Sequence, residues 1–313
     1  MQCFITGATG FIGSAIGEKL LERGYEVTGL TSSPGKIGSL EKKGIRPVLG
    51  DMNNPEEWSP AVRNADVIIH TATIPPPVRP GKRYMAKLLS AQRTTVSHLL
   101  KEVQSCEVFV YTSGMTVYGA GPALKSESSA INPVELARPY VLGEQLVMEA
   151  YRERDVPGMI LRPAGVYGDG GVFGRYWTEP MKNGKRAPYP GNGEQVKSFI
   201  SVEDCAQAYV TAVENPMPGQ VINIADDEPV AFNTLIPFLA ERIEAPNPPG
   251  IPAPLFRILA GRILAEMLLT DMRISNRKMK EELGVTLNYP TYREGISALA
   301  GELGEMNTIE SKP

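Results

Sequence analysis

The chain of 313 residues predicts an α/β fold, a doubly wound parallel sheet followed by a smaller C-terminal lobe. Three observations carry this reading. Short apolar runs alternate with helical stretches through the first 110 residues. A loop with three glycines follows the first of those runs directly. The second half is rich in Gly, Pro and aromatics before helical patterns resume.

The elements follow in order. Residues 3–6 form an apolar run that stops at Gly7, and residues 11–23 show helical periodicity ending at Gly24. Strands are expected at 26–31, at 46–49 before Gly50-Asp51, and at 66–70 around Val67-Ile68-Ile69. A long helix over 83–102 precedes a fifth strand at 108–112, which ends in Ser113-Gly114. Such alternation implies parallel strands covered on both faces. Beyond it come a helix at 139–154, a strand at 158–161 running into Arg162-Pro163, and loops over 165–198. A helix at 202–214, a strand at 221–225 and helices at 233–243 and 254–269 complete the pattern, the last after the Pro-rich 246–254. The lobes interleave. Residues 1–164, with 198–225 returning to them, form the sheet domain, and 165–197 with 226–313 form the smaller lobe.

Composition removes several classes of function. The net charge is −3, from 32 basic and 35 acidic residues, so nothing favours nucleic acid as a partner. Residues 258–269, the longest apolar stretch, are interrupted by Gly261, Arg262 and Glu266 and are too short to span a bilayer. Met1 runs straight into a strand without a leader pattern, and Cys3, Cys106 and Cys205 lie far apart. A cytoplasmic, reduced setting is expected. With only His70 and His98, a zinc site or a Ser-His-Asp triad has little to be built from, and no metal is expected.

The loop Gly7-Ala8-Thr9-Gly10-Phe11-Ile12-Gly13 carries the main functional signal. One glycine makes the tight turn, one admits backbone close to a pyrophosphate, and one lets helix pack on strand. The diphosphate then rests on the helix N-terminus, where unpaired N–H groups and the helix dipole favour an anion. This is a Rossmann-type dinucleotide site. At the end of the second strand an acid commonly binds the adenine ribose. Here Thr31-Ser32-Ser33 and Lys36 stand there, with no carboxylate between Glu26 and Glu41. Hydroxyls and a lysine suit a 2′-phosphate, so NADP or NAD is expected, with a lean to NADP.

Thr6 to Gly13 resembles the opening of the extended short-chain dehydrogenases/reductases of the NAD-dependent epimerase/dehydratase kind, and the likeness continues in order. Gly50-Asp51-Met52 is similar to the adenine-side turn and His70-Thr71-Ala72-Thr73 to the loop after the fourth strand. Thr112 to Gly119 resembles the serine-rich strand end, and Leu161-Arg162-Pro163-Ala164-Gly165-Val166-Tyr167-Gly168 the nicotinamide-side loop. Ser198 to Asp204, Asn223-Ile224-Ala225 and Arg273 to Gly284 complete the series. The resemblance implies that Thr71, Ala72, Thr73, Thr112, Tyr140, Pro163, Gly165 and Val166 join the glycine loop, Asp51 and Met52 in holding the cofactor. It also implies a homodimer through the helices at 83–102 and 139–154, and a small-molecule substrate with a hydroxyl or keto carbon.

Chemistry of this kind needs a tyrosine acid/base with a lysine four residues on, which places both on one helix face. Tyr140 matches the tyrosine, but the lysine position is Glu144, and the nearby Ser/Thr position falls on Gly114. A carboxylate beside the phenol would raise its pKa. Three readings stay open. Tyr140 donates the proton, with Ser113 or Thr116 polarising the substrate and Glu144 in an altered role; Glu144 or Tyr118 replaces it as the acid; or the chain holds cofactor without turnover, as a regulator. The substrate is a nucleotide sugar or an apolar alcohol or ketone. Tyr167, Phe173, Tyr176 and Trp177 are expected to line its pocket, with Lys197 facing a phosphate.

Overall fold

The computed structural model describes residues 1–310. Seven parallel strands form the central sheet: β1 (Gln2–Thr6), β2 (Glu26–Thr31), β3 (Arg46–Leu49), β4 (Val67–His70), β5 (Val108–Thr112), β6 (Gly158–Pro163) and β7 (Val221–Ile224). Their order across the sheet is β7-β6-β5-β4-β1-β2-β3. The winding reverses between β1 and β4, and ligands of such sheets bind outside the strand C-termini at that crevice.

Alternation of side chains explains why these strands read as continuous apolar runs. Cys3, Ile5, Val67, Ile69, Val108 and Val110 bury on one face, against Ile16 and Leu20 of α1 (Phe11–Glu22). Phe4, Ile68, Phe109 and Tyr111 bury on the other, against Val96 and Leu99 of α2 (Lys82–Glu102) and Val147 of α3 (Arg138–Arg154). With both faces of the central strands dry, both parities are mostly apolar, and the polar exceptions such as Thr6 and His70 bond each other. The helix α4 (Val202–Glu214) packs beside α1, and β7 pairs with β6, so residues 202–224 lie in the sheet domain.

A second core joins Tyr167, Phe173 and Trp177 to Phe232 and Leu235 of α5 (Phe232–Arg242) and to Ile296 of α7 (Tyr292–Glu310). Between α5 and α7 runs α6 (Ala253–Leu268), which breaks at Gly261, where φ is 76° and ψ 167°. Residues 272–285 belong in sequence to the smaller lobe, yet Met272, Ile274, Met279 and Leu283 bury their side chains in the first core. The lobes therefore share packing as well as chain crossings. No helix among the described residues is long and apolar enough to cross a membrane.

Candidate active site

The glycine loop joins β1 to α1 and has the shape its sequence implies. Gly7 adopts φ +75°, and a Cβ there would lie 2.7 Å from the Thr71 hydroxyl and 2.8 Å from the Ala72 nitrogen. A Cβ on Gly13 would stand 2.3 Å from the Gly7 carbonyl oxygen. The backbone is thus drawn in too tightly for any side chain at either place. Gly10 caps α1 without a side-chain acceptor, and no acidic residue occupies the first turn. The helix mouth therefore offers N–H groups and positive dipole to an outside anion, which fits a dinucleotide diphosphate. Thr9 is half-buried beside it, and Ile12 packs into the first core. The Phe11 ring is clasped by a second glycine loop: Cβ atoms on Gly168, Gly170 and Gly171 would meet it at 2.8, 2.6 and 2.7 Å.

At the end of β2 the Thr31 hydroxyl accepts the Ser33 N–H (3.2 Å) and shapes the turn, leaving Ser32, Ser33 and Lys36 exposed. Asp51 folds its own turn, its Oδ1 accepting the Asn53 N–H at 2.8 Å, while the Met52 carbonyl lies 3.3 Å from His98 Nδ1. Thr71 donates its hydroxyl to the Thr6 carbonyl (2.8 Å), and Thr112 lies 2.8 Å from Tyr209 Oη. Pro163 ends β6 buried. Gly165 lies against the Phe199 ring, and Val166 is half-buried against the first core.

Tyr140 and Thr73 meet across this crevice, hydroxyl to hydroxyl at 2.8 Å. Burial raises the Tyr140 phenol above its ordinary value, and the Thr73 bond offsets this only in part. Glu144, one turn further along α3, points elsewhere. Its carboxylate accepts Arg162 Nε at 2.8 Å and Nη2 at 2.6 Å, with the Ser113 hydroxyl at 2.5 Å. Arg162 gives its remaining arm to Tyr118 Oη (2.7 Å), stacks over that ring with the guanidinium carbon 4.8 Å from its centroid, and Tyr118 donates to Asn223 Oδ1 at 2.8 Å. The bidentate fork neutralises Glu144 within the fold. The sequence alone implied that this carboxylate would act on the tyrosine, whereas desolvation is what raises Tyr140. Thr116 sits half-buried in the turn Met115–Tyr118, and beside Gly114 there is room, the nearest atoms to a Cβ lying 3.7 and 3.8 Å away. Arg162 and Asn223 are the members that sequence reasoning missed. A buried arginine demands a buried acid, and that demand points to Glu144.

The expected substrate wall is placed differently. Tyr167, Phe173 and Trp177 form the interior of the second core, their rings in sequence at 5.9 and 5.2 Å, and only Tyr176 stays half-buried at its margin. Lys197 does not face outward. It is buried, and its Nζ donates to the Met267 and Thr270 carbonyls at 2.8 and 2.6 Å, closing the C-terminal end of α6. Burial lowers its pKa to about 7.

Residues 3–225 match the model of the NAD dependent epimerase/dehydratase family. The 3-diazoavenalumate denitrifying reductase of a Streptomyces species is 26% identical over 307 residues, which cover 95% of this chain and 99% of that protein. The mouse sterol-4-alpha-carboxylate 3-dehydrogenase, decarboxylating, is 25% identical over 247 residues, 75% of this chain and 67% of that protein. The fold is that of the Bacillus cereus UDP-glucuronic acid 4-epimerase solved with UDP-glucuronic acid and NAD (TM-score 0.82, 24% identity, 98% and 100% of the two chains). The chain belongs to the NAD dependent epimerase/dehydratase family of extended short-chain dehydrogenases/reductases, nicotinamide-dependent enzymes acting on the hydroxyl or keto carbon of a small molecule.

Proposed function

We propose that the enzyme is an NADPH-dependent reductase in which Tyr140 is the proton donor and Thr73 its partner. The observation that carries this is the Tyr140–Thr73 hydroxyl pair, in a place where no cation lowers the phenol. A phenol with a raised pKa is a poor base and keeps its proton at neutral pH. It suits donation to an oxygen that gains charge, and it does not suit abstraction from an alcohol. The bound dinucleotide supplies a hydride. The chain holds the diphosphate on residues 7–13, presents the Tyr140 proton to the substrate oxygen, and restores that proton from solvent through the exposed Thr73 hydroxyl. Ser113 has one proton and commits it to Glu144, so its role is to hold the carboxylate. The two remaining candidate acids are likewise engaged, Glu144 with Arg162 and Tyr118 with Asn223. The Streptomyces relative is itself named a reductase, which supports this direction.

Ser32, Ser33 and Lys36 support the choice of NADPH, since they are exposed and no carboxylate stands among them to repel a 2′-phosphate. Titration is expected to give at least about tenfold tighter NADPH than NADH, and Lys36→Glu is expected to reverse the order. The helices α2 and α3 pack side by side on one face of the sheet, and the same family resemblance supports a dimer through them. Sedimentation at micromolar concentration tests it. Three unpaired cysteines support a reduced, cytoplasmic setting.

The deciding experiment is Tyr140→Phe, assayed by NADPH oxidation over a panel of ketones. Loss of a general acid is expected to lower kcat by about 10²–10⁴-fold while NADPH still binds through the glycine loop. Wild-type kcat/KM should stay level from pH 6 to 9, because the phenol remains protonated throughout. Undiminished turnover in the variant removes Tyr140 from the mechanism, and NADPH left unoxidised by wild type across the panel returns the chain to the non-catalytic reading.

A further inference from the structure

We infer that Tyr84 is a positioning residue for the proton transfer: its hydroxyl pins the loop that carries Thr73 and so sets where Thr73 meets Tyr140. The proton's destination rests on the reductase reading; the anchor itself rests on geometry. Residues 72–80 join β4 to α2 and form neither helix nor strand. Pro75, Pro76, Pro77 and Pro80 have no N–H to give. Of the backbone groups in 72–80, the Ile74 carbonyl alone has a hydrogen-bond partner among the described residues, and that partner is Tyr84 Oη at 2.8 Å. Ile74 adjoins Thr73, whose hydroxyl lies 2.8 Å from that of Tyr140.

Both ends of the loop are fastened elsewhere. The N–H and hydroxyl of Thr71 donate to the Thr6 carbonyl at 3.2 and 2.8 Å. At the far end Pro80 is buried, and the stem of Arg79 lies against Gly261, its Cγ 2.9 Å from where a Cβ would stand. Neither contact reaches Thr73, which is exposed. A segment whose backbone lacks partners opens readily, and water competes for an exposed hydroxyl. Tyr84 counters this from the first turn of α2, a helix held to the sheet by buried Leu88, Val96 and Leu99. The fixed helix thus steadies the loop.

The phenol is suited to the task. Burial raises the Tyr84 pKa and the nearby Tyr140 phenol raises it further, so Tyr84 keeps the proton that it donates. That mutual influence also sets the two phenols near each other. A different tyrosine holds the main chain of Tyr140: Tyr111 Oη donates to the Tyr140 carbonyl at 3.4 Å and to Gln92 Oε1 at 3.0 Å. Tyr111 therefore places the backbone of the acid, and Tyr84, acting through Ile74 and Thr73, places the partner of its hydroxyl.

The test compares wild type, Tyr84→Phe, Thr73→Val, the double variant and Tyr140→Phe as full chains with NADPH, using cyclohexanone, acetophenone and progesterone as probes. Phenylalanine keeps the ring, so the fold should persist, with the melting temperature and NADPH affinity as controls. Tyr84→Phe is expected to lower kcat about ten- to a hundredfold with little change in KM for NADPH, and to enlarge the solvent deuterium isotope effect as proton delivery slows. In the Thr73→Val background it should cost nothing more, because its action passes through Thr73. A merely structural role would cost the same in both backgrounds. Independently of turnover, the Thr73 methyl resonance, assigned by its loss in Thr73→Ser, should shift in Tyr84→Phe. The inference is overturned if Tyr84→Phe keeps the wild-type kcat, if its loss is equally large in both backgrounds, or if the Thr73 methyl stays in place. If no probe is reduced, or if Tyr140→Phe reduces them undiminished, the reductase reading fails, and the methyl resonance then decides whether Tyr84 holds the Thr73 loop.

Discussion

Glu144 shows how one residue can be right for the fold and wrong for a familiar chemistry. It stands one turn after Tyr140, where the resemblance places lysine, and its charge is matched by Arg162. Removing one member of a buried pair strands the other. Arg162→Met is expected to cost about 3–5 kcal/mol in urea denaturation, while Arg162→Met with Glu144→Met recovers most of that. Glu144→Lys alone sets an ammonium against the Arg162 guanidinium, so it should lower the urea midpoint. Lys197 has its own signature. Its pKa falls from 10.5 to about 7 in the folded protein. Between those values the unfolded chain carries a proton that the folded chain lacks, so through this group stability rises with pH across that window and is lower beneath it. The urea midpoint of wild type should climb more between pH 7 and 9 than that of Lys197→Met; parallel slopes would refute the assignment.

At the level of elements, the parallel strands were plain in the sequence because both faces are buried. Val67–His70 is apolar at three of its four positions, and the fourth, His70, bonds Thr6 and stacks on Tyr111 inside the sheet. The helix over 253–268 was also legible, but its break was not, because an isolated glycine in a helical pattern does not by itself announce φ > 0. Nor could periodicity find the short strands Val196–Lys197 and Val230–Ala231, which exist through pairing with each other and, for Lys197, with Met272 far along the chain. Gly261→Ala puts a side chain at φ +76° against Arg79, and the conformation alone should cost about 1–2 kcal/mol in thermal unfolding. Gly13→Ala should instead abolish dinucleotide binding, since its Cβ collides with the Gly7 carbonyl that shapes the cradle.

For the whole molecule, the sheet domain and the cofactor loop could be read from the sequence, since each depends on neighbours within a few residues. The substrate side could not. Whether Phe173 and Trp177 line a pocket or fill a core depends on Phe232, more than fifty residues away, whose ring lies 5.5 Å from that of Trp177. Whether Lys197 meets a phosphate depends on where α6 ends. The shared packing of residues 272–285 predicts that the lobes melt together. A thermal scan should show one transition, raised by about 5 °C or more when NADPH is present at a hundred times its Kd.

The Phe11 ring gives this coupling a sharper form. It belongs to the first turn of the helix that receives phosphate, yet its rim is lined by backbone from residues 168–171. Three positions without side chains let that backbone lie directly against the ring. A single methyl group introduced by Gly170→Ala therefore has nowhere to go except into the ring's place, levering the phenyl toward the diphosphate. The damage should be felt as weakened nucleotide affinity with a nearly normal melting temperature. A genetic lesion in the middle of the gene would thus masquerade as one in its opening codons.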